Sequence, residues 1–288
     1  MSSKDTVTKT LVVAFFLCVV CSILVSGTAV ILKPMQDENR ILDRNKNILS
    51  AAGLYDSAIH PDSEVAELFS RFTPRLVDIN AGRFLEADEA LALGIDIVNY
   101  DQRKVITDPA LSEALTSEED LADVKRRALY QMVYLMEGDS ENGFDTIVLP
   151  VSGYGLWGIL YGFMALEGDA NTVKGLAFYE LKETPGLGAE VRNPRWTALW
   201  PGKKVYAEDG GVGLTVVKGA GTGDYEIDGL SGATLTSRGV ANLVQYWLGD
   251  DAFGPLLKQL GGMQNQAIAV LGNDSASLSQ FTKEFSDK

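Results

Sequence analysis

An α+β fold, an antiparallel β meander or half-barrel packed with helices behind one transmembrane helix, is what this sequence predicts. Three patterns predict it. An uncharged apolar run fills residues 11–32, four β-branched and aromatic stretches follow from residue 129, and an amphipathic helix comes after them. Strands in series and then a packing helix, with no βαβ alternation, place the chain among α+β folds.

The first pattern reads LVVAFFLCVVCSILVSGTAVIL, long enough to cross a hydrocarbon layer of about 30 Å. Lys9 precedes it, and Lys33 and Pro34 end it. A cleaved signal peptide with its small-residue site at Gly27, Thr28 and Ala29 is the alternative; the length of the run, and its continuation past that site, favour a retained anchor. Both cysteines, Cys18 and Cys21, lie inside it. Their spacing is that of a redox pair, but within hydrocarbon they read as small apolar side chains packing on neighbouring helices, with a cluster shared with other subunits as the lesser alternative. Lys4 and Lys9 stand before the run and Lys33, Arg40, Arg44 and Lys46 after it, so the positive-inside rule leans toward a cytoplasmic C-terminal domain.

Residues 33–127 read as a stalk and a helical segment, after a short tail at 1–10 and the span at 11–32. Ile41, Leu42, Ile48 and Leu49 are the apolar positions of a charged stalk helix over 36–54. Asp62 and Ser63 can cap a helix running through Phe69, and Ser117 to Asp120 form a capping box ahead of Leu121 and Val124. The main domain is expected over 128–288, with strands at 129–136, 145–151, 157–166 and 173–181 divided by turns at 138–143, 152–155 and 168–171. A further strand pair is expected from 203–208 and 213–219. Val240, Leu243, Val244, Trp247 and Leu248 then mark one face of a helix.

Composition removes several chemistries. Lys and Arg number 25 against 39 Asp and Glu, and a net charge of −14 repels phosphate backbones, which argues against nucleic acid. His60 is the single histidine, so neither a His-based triad nor a multi-His metal centre can be built. Past residue 32 there is no cysteine, hence no disulfide and no thiolate-held cluster; redox work there needs an organic cofactor.

Three motifs remain. GYGLWG at 153–158 spells G-x-G-x-x-G, yet a strand pattern continues after it and Val173 stands where a dinucleotide fold places its acid. It reads either as a tight turn with a core Trp or as a close backbone approach to a flat ligand, with Leu156 and Trp157 offering a ring face. ETPGLG at 183–188 is a rigid loop exposing amides, a Thr hydroxyl and Leu187; it reads as bare turn chemistry or as a contact for a heterocycle. DGLSGATLTS at 228–237 bares backbone at Ser231, Gly232 and Ala233 and gathers the hydroxyls of Thr234, Thr236 and Ser237 at a helix entrance. Free amides and the helix dipole there attract an anion, while an N-cap at Thr236 or Ser237 is the plain alternative.

The D-x-x-S-G-A-T pattern resembles the flavinylation motif of FMN-binding subunits in sodium-translocating NADH:quinone reductases and the related Rnf complexes. GLWGILYGF, NTVKGLAFYE, ETPGLG, IDGLSGATLTS, AFGPLLK and the anchor with its Cys pair are similar to the gamma (C) subunit of the reductase, across nearly the whole chain. The resemblance implies FMN joined to Thr234 by a phosphoester, installed by a separate flavin transferase. It also implies a periplasmic FMN-binding domain on one inner-membrane helix, relaying electrons among partner subunits that oxidise NADH, reduce ubiquinone and export Na⁺. The chain alone would have no turnover. Leu156, Trp157 and Leu187 are then expected on the ring face, and Glu183 and Thr184 on polar ring atoms or the ribityl chain. Lys218 would supply positive charge, and Ser231, Gly232, Leu235 and Thr236 would line the attachment loop. Asp228 would position that loop for the transferase or cap its turn. Many family members carry His-Gly before ETPGLG, where this chain has Leu181 and Lys182. An Rnf-type subunit, or a membrane-anchored sensor or assembly protein without flavin, is the rival reading.

Overall fold

The computed structural model describes residues 7–97, 99–138 and 143–262. Most of the expected turn at 138–143 lies outside these residues, as does the C-terminal stretch from 263. The chain divides into two compact units, Met1–Arg44 and Asn45–Lys288.

Helix α1 runs over Val7–Ala51 with Pro34 inside it. The apolar span and the stalk expected as separate pieces are therefore one helix, and Pro34 does not end it. A single proline deletes one i→i−4 hydrogen bond, which so long a helix absorbs. In the first unit Phe15, Phe16, Leu17, Ile23 and Leu24 are exposed, and the helix is long and apolar enough to cross a membrane. Cys18 and Cys21 are free, exposed thiols there. Among the described residues no group of three or more His, Cys, Asp or Glu could hold a metal.

The second unit is built on a six-stranded antiparallel sheet of order β2-β1-β5-β6-β7-β8. Its strands are β1 (Phe72–Asp78), β2 (Arg83–Leu85), β5 (Tyr130–Glu137), β6 (Phe144–Tyr154), β7 (Ile159–Glu167) and β8 (Val173–Glu180). The last four are the expected meander. β1 and β2 come from the stretch read as stalk and helices. FTPRLVD conceals a strand behind Pro74 and Arg75, and β2 pairs only with Leu76, Val77 and Asp78, so Pro74 sits where β1 is an open edge on that side. Short antiparallel strands β3 (Ser112–Ala114) and β4 (Arg126–Ala128) form a separate ribbon, and the connections carry the short helices α3 (Ala87–Ala92), α4 (Gln102–Val105) and α5 (Pro194–Thr197).

Both faces of the sheet are covered, which is why the strands are nearly continuous in apolar residues. On one face Leu149, Met164 and Leu176 stand in one row across β6, β7 and β8. They bury with Val240, Leu243, Val244 and Trp247 of α6 (Thr234–Trp247), and a helical segment at 254–262 adds Leu256, Leu257 and Leu260. On the other face the row Tyr134, Val148, Ala165 and Gly175 meets the ring of Phe69 from α2 (Val65–Phe69) and the buried final turns of α1, Ile48, Leu49 and Ala51. A Cβ built on Gly175 would lie 2.4 Å from the Ala51 carbonyl oxygen. Gly175→Ala is therefore expected to destabilise the domain by about 1–3 kcal/mol, read from the urea midpoint, although alanine suits a strand better than glycine does.

Three local expectations change. Ser117 to Asp120 do not start a helix. The Glu119 carboxylate accepts from the Thr116 amide (2.9 Å) and hydroxyl (2.8 Å), and positive φ at Asp123 and Lys125 turns the chain away from helix. Asp62 does not cap the helix ending at Phe69; it accepts from the Tyr55 hydroxyl (3.1 Å) and pairs with Lys46 (2.7 Å). The strand pair expected from 203–208 and 213–219 reduces to one bridge, Tyr206 with Val212. Asn171 Oδ1 takes the amides of Val205 (3.1 Å) and Tyr206 (2.8 Å), while β9 (Thr215–Val216) pairs in parallel with β10 (Glu226–Ile227).

Candidate functional site

Three glycine-bearing loops meet at the N-terminus of α6. Residues 154–158 join β6 to β7, residues 183–188 follow β8, and residues 228–233 lead into the helix. Glycine permits the approach. A Cβ on Gly239 of α6 would lie 2.3 Å from the Tyr154 carbonyl oxygen, and one on Gly153 would lie 2.8 Å from Leu243 Cβ. The helix head thus rests directly on the backbone of the first loop.

The helix opens without a side-chain cap. Gly232 takes φ +77°, Ala233 occupies the N-cap position, and the first intrahelical bond runs from the Ser237 amide to the Ala233 carbonyl (3.0 Å). The amides of Thr234, Leu235 and Thr236 precede that bond and point out of the helix end. The hydroxyls expected as N-caps serve elsewhere. Ser237 Oγ accepts from the Leu230 amide (2.9 Å), and the buried Thr236 donates to Glu183 Oε2 (2.7 Å). Thr234, the first residue of the helix, is exposed.

Glu183 turns inward. It is 6% exposed, and its Oε1 accepts from the amides of Leu156 (2.8 Å) and Trp157 (3.0 Å) while Oε2 accepts from Thr236. Both carboxylate oxygens thus face protein partners. Thr184 is exposed, and its carbonyl accepts from the amides of Leu187 and Ala189 (3.1 Å each), which closes the 183–188 turn.

Around Thr234 the surface is apolar. Trp157 is 63% exposed, and Tyr154, Leu156, Leu187 and Leu235 are each 40–48% exposed. Leu187 stands over the 228–233 loop, its Cδ2 3.2 Å from a Cβ built on Gly232. Large side chains clustered in the open mark a binding surface rather than a core. A hydroxyl and three outward amides beside such a surface suit a ligand with an anionic tail and a flat apolar head. A groove of about 490 Å³, lined by residues including Gly186, Trp196, Leu230 and Ser231, runs alongside the loop.

The loop itself is braced. Asp228 Oδ1 accepts from the Gly221 amide (2.8 Å), its carbonyl accepts from Trp196 Nε1 (2.8 Å), and the Gly229 amide donates to the Gly219 carbonyl (2.9 Å). The Asp228 carboxylate thus ties the 228–233 loop to the backbone at Gly221. Asp228→Ala is expected to cost about 1–2 kcal/mol in thermal or urea unfolding, with Asp228→Asn retaining most of it because the amide oxygen can still accept. Lys218 is exposed just after β9, and among the described residues no hydrogen bond or ion pair joins its ammonium to the loop. Lys182, which the sequence singled out only as a departure, lays its stem against the first loop, with Cδ 3.1 Å from a Cβ built on Gly158. Tyr154 and Gly239 belong to the site unforeseen; the glycine inside a helical pattern was the signal available for the second.

Residues 155–249 match the family model described as an FMN-binding domain. The C subunit of the Na(+)-translocating NADH-quinone reductase of Pseudomonas aeruginosa is 47% identical over 266 residues, covering 90% of this chain and 98% of that protein. The corresponding C subunit of Pasteurella multocida is 44% identical over 260 residues, covering 90% and 96%. Among solved structures, the crystal structure of Shewanella oneidensis NqrC superposes with a TM-score of 0.65 at 31% identity, covering 76% of this chain and 97% of that one. The C subunit from Parabacteroides distasonis gives 0.59 at 26% identity, covering 78% and 96%. With near-full-length likeness in sequence and a matching fold, this chain belongs to the family of C subunits of the Na(+)-translocating NADH-quinone reductases.

Proposed function

We propose that this chain is the flavoprotein subunit of a membrane-bound, Na⁺-translocating NADH:ubiquinone reductase and carries FMN as a phosphoester on Thr234. The observation that carries the proposal is the exposed Thr234 hydroxyl at the open amide end of α6, beside the exposed Leu156, Trp157, Leu187 and Leu235. Bound FMN supplies the electron-relay chemistry that no side chain of this domain can. The amides of Thr234, Leu235 and Thr236 hold the phosphate at the positive end of the helix dipole. Leu156, Trp157 and Leu187 pack on the ring, and Ser231 and Gly232 leave the loop slim enough for a transferase to reach the hydroxyl. A covalent tether keeps the flavin local without a deep pocket, so its edge stays open to donor and acceptor subunits.

Lys218 is proposed as a mobile cation that reaches the phosphate or the reduced ring. Residues 11–32 anchor the chain in the bacterial inner membrane, with the sheet domain on the periplasmic side, against the lean of the flanking charges. Of the two assemblies whose motif the chain shares, the match to the reductase's C subunits favours the quinone reductase over an Rnf-type complex. Electrophoresis tests the proposal. The denatured chain from its native membrane should show a yellow-green band under ultraviolet light; a dark band would contradict it.

A further inference from the structure

We propose that Glu183 is a positioning residue that joins the Leu156–Trp157 loop to the head of α6, so that ring face and tether form one preorganised unit. The inference rests on the FMN reading of this site and assigns Glu183 a task other than touching the cofactor. Its three short hydrogen bonds reach two elements far apart in sequence: the amides of Leu156 and Trp157 on Oε1, and the Thr236 hydroxyl on Oε2. Thr236 lies two residues past Thr234 on the same helical turn.

The surroundings are shaped to this carboxylate. A Cβ on Gly155 would lie 2.5 Å from Oε1, and a Cβ on Gly188 would lie 2.3 Å from Oε2 and 2.6 Å from Thr236 Oγ1. Glycine from two separate loops thus clears the slot that the carboxylate fills. Exposed loops on their own are held weakly and sample many conformers. A shared buried acceptor removes that freedom, because releasing either partner leaves polar groups unpaired. The ring face therefore cannot drift from the tether. The carboxylate also places negative charge beneath Leu156 and Trp157, which disfavours electron gain by a ring resting there.

Two variants separate shape from charge. In Glu183→Gln the amide oxygen still accepts from Leu156 and Trp157, and the NH₂ group can donate to Thr236. Glu183→Ala removes every link. The first measurement is amide hydrogen exchange in the full-length, flavin-free Thr234→Ala chain. Exchange across 155–158 should speed up roughly tenfold or more with Glu183→Ala and stay near the parent rate with Glu183→Gln. Trp157 is the one exposed tryptophan of four, so acrylamide quenching reports on the same loop. Thr236→Val, which breaks only the helix link, should give an intermediate rate and serves if Glu183→Ala does not fold.

The second measurement is the flavin reduction potential in the assembled complex. Glu183→Gln should raise it while leaving exchange protected, a separation that a purely structural residue would not give. Unchanged exchange in both Glu183→Ala and Thr236→Val overturns the proposal, as does an opened loop with the flavin spectrum and potential left at the parent values. Complete absence of flavin from the parent chain would defeat the preceding reading instead, and the exchange arm would still decide the clamp.

Discussion

Thr234→Ala should leave a folded chain without covalent flavin: fluorescence of the denatured protein is expected to fall to background, while the urea midpoint moves by no more than about 0.5 kcal/mol. The small stability effect follows from position. Thr234 is exposed, caps nothing, and begins the helix where alanine is well tolerated. The large chemical effect follows from its neighbours. Thr236 is buried and committed to Glu183, and Ser237 is buried and closes the loop through Leu230, so neither hydroxyl can take over. Ser231 is exposed but lies outside the helix, before the turn at Gly232. Thr234→Ser keeps a hydroxyl at the right place and should retain flavin. A band of undiminished intensity in Thr234→Ala would move the attachment to another residue.

Gly239→Ala is the second large effect, and its sign is the informative part. In an exposed helix this change stabilises by about 1 kcal/mol. Here the added methyl would sit 2.3 Å from the Tyr154 carbonyl and 3.0 Å from Gly155 Cα, both backbone atoms that cannot rotate away. The helix head must lift off the first loop, so a loss of about 2–3 kcal/mol is expected instead. The displaced loop carries Leu156 and Trp157, so flavin fluorescence and reduction potential should change together with the unfolding midpoint. A stabilised chain with an unaltered flavin would show that α6 and the 154–158 loop are not pressed together.

Much of this architecture is written locally, and that part was legible. β5 to β8 alternate apolar runs with Gly-bearing turns, and the i, i+3, i+4 spacing from Val240 to Leu248 makes one apolar face. What escaped depends on partners distant in sequence. β1 is a strand because β5 supplies its pairing, which Pro74 and Arg75 do not advertise. The amides of Val205 and Tyr206 go to Asn171, more than thirty residues earlier, and only one bridge of the expected pair forms. In the site, the motifs marked the loops that carry the exposed Thr234, Leu156, Trp157 and Leu187, since glycine and small side chains announce exposed backbone. The inward use of Glu183, Thr236 and Ser237 was hidden, because a polar side chain in a loop can turn either way and only tertiary contacts decide. Gly239 carries the same ambiguity, which only the Tyr154 backbone packed against it resolves.

The direct measurement is mass spectrometry of the tryptic peptide spanning residues 219–238, which holds Thr234 and ends at Arg238. Taken from the chain in its native membrane, the peptide should carry the added mass of FMN less one water, with fragment ions placing it on Thr234. An unmodified peptide, or flavin mapped to any other side chain, would contradict the account.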